Sequence, residues 1–482
     1  RGARRAARSR ANVAGRALGS PTMAQVVVVG GGFAGMAAAA RLAKLGHAVT
    51  LCERSPDLGG AMGRVEEEGF TWDSGPWSTT LPAVLRDLFR KSGRPMEREL
   101  EIVPLAPARV HRFEDGTQLA MPAGSRADQI DAMSQVFGEP TAVQWAEFVD
   151  RLAPVWDLLR RTALEQPFAG CAGLSRDQQR LLDARRSLRK LARRTFRDER
   201  LRTLLEHHVV MQGSEPRDVP GYVAVETYVE RTFGLWRPRG GMHALTSALS
   251  TRLQERRVDV RLDTEVSTVV CADGAVSRVL LAGGESLEAD VVVGAIDPRR
   301  VFRLLENAAE ARVPLRDVDR ILPAVPPGLS HLGLRATPGL PALEGETVLH
   351  TEDATLVVRV EDDAPPGHAA WTVLRRGNVG EDTLDALARR GVDVRDHVVA
   401  RVDRSPADIV GQAGGSPYGV RWAGPRTVSW RPATQTPVHG LFCAGASAHP
   451  GAGVPLVGLG AALVAQLVGK ADRPTGRSAG PP

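Results

Sequence analysis

Gly30, Gly32 and Gly35 stand in a G-x-G-x-x-G spacing, and a carboxylate, Glu53, follows about 20 residues later. These residue types at this spacing can hold a diphosphate and a ribose. Gly30 permits a tight turn. Gly32 has no Cβ, so a pyrophosphate can approach the backbone, and Gly35 lets a helix lie against a sheet. Glu53 can accept a hydrogen bond from a ribose hydroxyl. Amide groups at the helix start, together with the helix dipole, attract the phosphates. The surrounding sequence supplies the elements this chemistry needs. Val26 to Val29 is a β-branched run suited to a buried parallel strand. Ala37 to Leu45 is small and helix-forming, and Gly46 closes it. Ala48 to Cys52 reads as the second strand. The order is that of a dinucleotide-binding unit; a plain βαβ turn rich in glycine is the alternative.

A second glycine-rich turn follows: Arg54, Gly59, Gly60, Gly63 and Arg64, then Gly69-Phe-Thr-Trp-Asp-Ser-Gly-Pro76. Downstream, Gly234 to Leu253 reads GLWRPRGGMHALTSALSTRL, and Val291 to Pro298 reads VVVGAIDP. Near the C-terminal end, Gly440 to Pro455 reads GLFCAGASAHPGAGVP. Together these motifs resemble the phytoene desaturase (carotenoid desaturase) and flavin amine oxidase superfamily, from Met23 to about Lys470. The resemblance implies FAD as cofactor. It places Gly30, Gly32, Phe33, Ala34 and Gly35 at the pyrophosphate and Glu53 at the ribose. Arg54, Gly60 and Arg64 would follow along the phosphate side, with Gly75, Pro76 and Gly241 near the flavin. Val266 would touch the adenine half. Gly445 would reach the pyrophosphate and ribityl chain, and Gly453, Val454 and Pro455 the isoalloxazine edge. Two departures stand out: Ala61 occupies a position where the family has Arg or Lys, and Ala448 one where it has Thr.

Composition is that of an ordinary globular protein of two or three domains. Six arginines between Arg1 and Arg16, with no acid, account for the formal net charge of +6. The body from Met23 is therefore near neutral, and its charge gives no argument for binding nucleic acid. Residues 1–22 read as a disordered basic extension: a transit peptide, a translated upstream region or an overlong start. Cys52, Cys171, Cys271 and Cys443 are widely spaced, which fits a reducing, cytoplasmic setting rather than metal or disulfide chemistry. Cys52 and Cys443 read as small core residues. Leu441 to Gly469 is uncharged, but His449, Pro450 and Pro455 interrupt it, so it reads as no membrane span.

The expected architecture is α/β. A Rossmann-like FAD-binding domain is assembled from residues 23–95, 235–300 and 425–470. Residues 96–234 and 301–424 form a mixed α+β substrate domain with a helical cap, and 471–482 a disordered tail. Residues 80–95 read as a helix, 102–119 as strands around Glu114-Asp115-Gly116, and 127–229 as mainly helical. Val258 to Val270 and Val348 to Val360 each alternate as a strand, with Ala369 to Leu374 pairing with the latter. Val276 to Leu281 and Ser286 to Val293 also read as strands, and Glu381 to Arg390 and Asp393 to Arg401 as helices. His350 and His368 read as surface or strand histidines. His449 reads as a structural cap beside Pro450 or as a proton acceptor, and Trp77 as core or as a substrate-side lining. Ser175 to Arg202 is arginine-rich with interleaved leucines; it reads as a solvated helix pair or as a membrane-surface contact.

No triad, metal cluster or catalytic base stands out. The resemblance implies an FAD-dependent oxidoreductase desaturating a carotenoid-like isoprenoid, with a hydrophobic polyene as partner and peripheral contact with the cytoplasmic membrane face. The alternatives are a flavin-dependent carotenoid isomerase, a flavin amine oxidase and an inactive flavoprotein-fold binding module. The 5% aromatic content, with Tyr only at 222, 228 and 418, weighs against the aromatic cage of an amine oxidase.

Overall fold

The valines of strand Gln25–Val29 are buried on both faces: helices cover one side of the sheet they centre, and the strands Val266–Ala272 and Ala275–Leu281 pack on the other. The computed structural model describes residues 23–168, 170, 173–377 and 380–471. Expectations for residues 1–22, Cys171 and 472–482 concern residues outside that set. The sheet is parallel throughout, in the order Leu441–Cys443, Val291–Gly294, Gln25–Val29, Ala48–Cys52, Asp259–Arg261. Helix Phe33–Lys44 packs on one face through Ala37, Ala38, Ala39 and Ala40, all fully buried, and against the last helix, Val454–Val468. Small side chains permit that close approach. His47 joins the two ends: Nδ1 accepts from the Ala24 amide at 3.3 Å, and Nε2 donates to the Gly469 carbonyl at 3.0 Å. The Ala471 amide donates to the Leu45 carbonyl at 3.1 Å, so this residue of the expected tail is tied to the body.

A second layer holds a seven-stranded mixed sheet running from Val398–Arg404 at one edge to Gln118–Met121 at the other. A smaller four-stranded sheet carries Val266–Ala272 and Ala275–Leu281. Between residues 126 and 233 the described residues are mainly helical, and Trp145, Phe148, Phe196 and Leu204 lie in their core. The chain is therefore α/β, with a parallel nucleotide-type sheet, a mixed sheet and a helical cap.

Several elements differ from expectation. Val258 to Val270 is two strands in different sheets, because Asp263 turns with φ 50° while its amide and that of Thr264 donate to the carbonyls of Ser55 and Glu53. Ser286 to Val293 likewise divides into Ser286–Glu288 and Val291–Gly294, in different sheets. Val348 to Val360 is a hairpin of Glu346–His350 and Ala354–Glu361. Thr351 turns it, its hydroxyl bonding Asp353 at 2.8 Å and the Ala354 carbonyl at 2.7 Å. Strand His368–Gly377 pairs with the second arm, as expected. Asp393 to Arg401 is not a helix: after a short turn, Val398–Arg404 is an edge strand paired with Gly328–Arg335. Its Val-Val-Ala-Arg-Val run favours the pleated state, and Asp393 accepts the Arg395 amide in a local turn.

His350 is a strand histidine, but a buried one. It contacts His111, Nδ1 of His111 lying 2.9 Å from Nε2 of His350, with His207 edge-on to both. Burial pushes His350 down to about 4 and His331 to about 3, so both are neutral in the fold. In the unfolded chain they take up protons below about 6.5. Stability is therefore full above pH 6.5 and falls as pH drops from 6.5 towards 4, by about 1.4 kcal/mol per pH unit for each such histidine. Urea midpoints measured from pH 8 to pH 5 should be flat above pH 6.5 and decline steeply below it.

Candidate active site

The first helix begins where the central strand ends, and that junction forms one wall of a narrow cavity of about 420 Å³. Gly30, Gly32, Phe33 and Ala34 line it from the first turn, and Glu53 and Arg54 from the end of the second strand. Gly60, Gly75 and Pro76 come from the second glycine-rich region, and Val266 from the small sheet. Gly445, Gly453 and Val454 arrive from the far end of the chain. Four of the residues singled out from sequence lie off this wall. Gly35 faces the central strand: a Cβ there would sit 1.9 Å from the Gly30 carbonyl oxygen. Arg64 is exposed and pairs with Glu66 at 2.9 Å. Gly241 packs on Asp73, whose carboxylate accepts the amides of Met242 and His243 at 2.9 and 3.0 Å. Pro455 lies at the start of the last helix, on the wall of a neighbouring cavity.

The narrow cavity has the features of a dinucleotide cradle. A Cβ on Gly32 would meet only the Gly59 carbonyl, at 3.9 Å, and one on Gly453 would meet nothing within 4 Å. The glycines thus leave space that a side chain would fill. The first backbone bond of the helix runs from the Met36 amide to the Gly32 carbonyl, so the amides of Phe33 and Ala34 precede it, and no acid occupies the first turn. The Glu53 carboxylate is fixed by the Gly31 amide at 2.6 Å and the Ser55 amide at 2.9 Å. Arg54 donates to the Gly411 carbonyl at 2.8 Å, and Ala61 lies on the cavity wall. Trp77 is both core and lining: it is buried, on the wall, with the Arg237 guanidinium 4.5 Å from its ring centroid. Arg237 in turn pairs with Glu361 at 2.7 Å. These features fit FAD.

A second, larger cavity of about 980 Å³ adjoins the first, and Ser78, Gln212, Tyr418, Ala452, Gly453 and Val454 line both. Its wall is largely apolar, with Trp156, Leu159, Leu164, Phe168, Val223 and Val229. Helix Arg176–Leu182, which buries none of its residues, contributes Arg176, Gln179 and Arg180. The remainder of Ser175 to Arg202 is packed: Leu188, Ala192, Phe196 and Leu201 are buried. His449 lies on the large cavity, and its Nε2 donates to the Ala163 carbonyl at 2.5 Å while its ring stacks on Phe168. Burial pushes its pKa down to about 4, so it is a neutral tie between the C-terminal loop and the cap. Burial pushes the Cys52 thiol up to about 11 and Cys443 to about 12, as for core thiols. Among the described residues no group of three or more His, Cys, Asp or Glu is arranged to hold a metal ion, and no helix is long and apolar enough to cross a membrane.

Beneath the large cavity lies a buried ion network. Arg109 pairs through Nε with Glu346 and through Nη1 with Glu230 at 2.6 Å, and Arg359 reaches Glu346 at 2.8 Å. Arg109 also sits on the cavity wall with Glu226, Glu230 and His208. Sequence reasoning missed Gln212, Tyr418 and Glu226. The one signal for Glu226 in the sequence is an acid inside the apolar run Val223-Ala-Val-Glu-Thr-Tyr-Val229.

The chain is similar to several curated proteins over most of its length. It is 28% identical to a 4,4'-diapolycopene oxygenase of Methylomonas sp, covering 91% of this chain and 97% of that one. A hydroxyneurosporene desaturase of Cereibacter sphaeroides is 29% identical, at 92% and 97% coverage. A phytoene dehydrogenase of Streptomyces griseus is 28% identical, at 92% and 94%. Among solved structures, a putrescine oxidase variant superposes with TM-score 0.67 at 17% identity, covering 93% of this chain and 99% of that one. An oxidoreductase from Methanosarcina mazei gives 0.64 at 18%, covering 92% and 100%. The profile of the flavin containing amine oxidoreductases matches residues 33–468, and this chain, with its glycine cradle built from both ends, belongs to that family and is an FAD-dependent oxidoreductase.

Proposed function

We propose that this protein desaturates a carotenoid-like isoprenoid. The observation that carries the reading is the large apolar chamber that meets the dinucleotide slot across Ser78, Gln212, Tyr418 and the Ala452–Val454 turn. Bound in the slot, FAD supplies a two-electron acceptor for hydride. The chain's part is to orient the substrate and keep water out. The apolar part of the wall, Trp156, Leu159, Leu164, Phe168, Val223 and Val229, packs on a polyene, and the shared residues decide which carbon meets the slot. The desaturases among the relatives support the same reading. At the junction Tyr418 is the one aromatic among the shared lining residues, which disfavours a paired aromatic cage for an amine. The test is expression in a host that makes phytoene or another colourless polyene. A red-shifted pigment, lighter by two hydrogens per new double bond, supports desaturation. A pigment of unchanged mass points to isomerisation, and an unchanged host removes the reading.

Helix Arg176–Leu182 supports a membrane-surface route for the substrate. It lies beside the chamber, buries nothing, and leaves Leu181 exposed between arginines. The protein from Met23 should co-sediment with anionic liposomes at low salt and release at high salt. No sedimentation at low salt would remove this route.

A further inference from the structure

Glu226 lies on helix Val225–Phe233, on the wall of the large chamber. Its side chain is half-buried and borders the cavity. Among the described residues, its one hydrogen bond comes from the Gln212 amide nitrogen, at 3.3 Å. Gln212 itself lines both the chamber and the dinucleotide slot. Glu226 is therefore one side chain away from the place where substrate and cofactor meet. Its neighbour one turn on, Glu230, plays a different part, being neutralised by Arg109 at 2.6 Å. No cation pairs with Glu226 among the described residues.

Resting on the desaturase reading above, we propose that Glu226 is the proton acceptor of the reaction. One C–H bond of the substrate gives its hydrogen and both electrons, as hydride, to oxidised FAD. On the adjacent carbon, the C–H electron pair becomes the new C=C π bond, and its proton passes to the Glu226 carboxylate. Substrate and FAD thus account for both electrons, and Glu226 for the proton, which it later releases to water. The Gln212 amide holds the carboxylate towards the junction.

The surroundings suit a proton acceptor. Burial, with the Glu230 charge adding to it, pushes Glu226 up to about 7, so ionised and protonated forms interconvert near neutral pH. The other groups facing it stay fixed there. Arg109 holds Glu230 below the usual carboxylate range, and burial holds His208, on the preceding helix, neutral. Arg109, from its strand, is kept cationic by Glu230 and Glu346 despite its burial, and burial raises the Tyr418 phenol. Tyr222 lines the same wall.

The test uses the flavin-loaded protein, an active polyene and anaerobic single-turnover flavin reduction, with Glu226→Gln and Glu226→Asp. Glu226→Gln keeps the shape and a hydrogen bond to Gln212. In the wild type the rate should rise with pH through about 7 and level off above it. In Glu226→Gln it should fall about 10²–10⁴-fold and lose that rise, with polyene affinity little changed. Glu226→Asp should keep part of the rate and a pH rise. Independently of turnover, infrared difference spectra should show a carboxyl band titrating near neutral pH in the wild type and missing from Glu226→Gln. An unchanged rate and profile, a loss confined to KM, or the absence of that band would overturn the assignment. A wild type inert on every polyene would instead remove the desaturase reading, and this role with it.

Discussion

Gly35→Ala is expected to yield protein without flavin and less stable by about 3 kcal/mol. The new methyl would sit 1.9 Å from the Gly30 carbonyl oxygen and 3.3 Å from the Ala295 side chain. The nearer atom is backbone at the end of the central strand, so no side-chain rotation relieves the clash. The start of helix Phe33–Lys44 must lift, and the amides of Phe33 and Ala34 move with it. Gly32→Ala makes the informative contrast. Its methyl has only the Gly59 carbonyl within 4 Å and points into space that a diphosphate would use. That variant should unfold like the wild type yet lose flavin by more than tenfold in affinity, about 1.4 kcal/mol or more. Denaturant unfolding of the apoproteins and the visible absorbance of the purified proteins separate the two. Equal stability of Gly35→Ala and wild type would contradict the packing argument.

Arg109→Met should destabilise the protein by about 3–5 kcal/mol. The substitution keeps most of the apolar stem but takes Arg109 from two buried carboxylates, leaving Glu230 without its arginine and Glu346 with Arg359 alone. Removing one member of a buried ion network costs more than the network's net contribution, because the remaining charges lose their partner. Adding Glu230→Gln, which removes the carboxylate left without its arginine, should therefore recover part of the loss. The acid limb carries a second signature. Arg109 and Arg359 hold Glu346 down at about 2 against burial, below its ordinary 4.5. The stability this supplies is complete above pH 4.5 and fades as pH falls from there to about 2. In Arg109→Met much of it is already absent at neutral pH, so acid unfolding should begin at higher pH. Arg359 also donates to the Gly75 carbonyl at 3.3 Å, which couples the network to the wall of the slot.

Much of the nucleotide-binding half is legible in the sequence because its signals are local. A glycine spacing reports a turn, and a valine run reports a strand buried on both faces. The reading fails where short elements depend on partners elsewhere. Val398–Arg404 carries helix-like charge spacing, yet it is a strand because Gly328–Arg335 offers an open edge. Val348 to Val360 hides a turn because Thr351 and Asp353 break the alternation for only three residues. Arg64 resembles a phosphate ligand by its place in a motif, but the two-stranded ribbon it begins turns it to solvent and Glu66. Gln212, Glu226 and Tyr418 belong to no motif. They meet only because a helix end, a helix wall and a distant loop converge, and periodicity within each segment carries no trace of the others.

The parallel sheet also governs when the protein can acquire its cofactor during synthesis. Its central strand leaves the ribosome well before Leu441–Cys443, Gly445 and Gly453, which emerge after nearly all the described chain. A nascent chain can build the opening turn at once, but it cannot close the pocket until its last helix is free to pack on the first. Flavin capture thus waits for that last helix, and until it packs, alanines and valines meant for it remain uncovered, open to chaperones or to other unfinished chains.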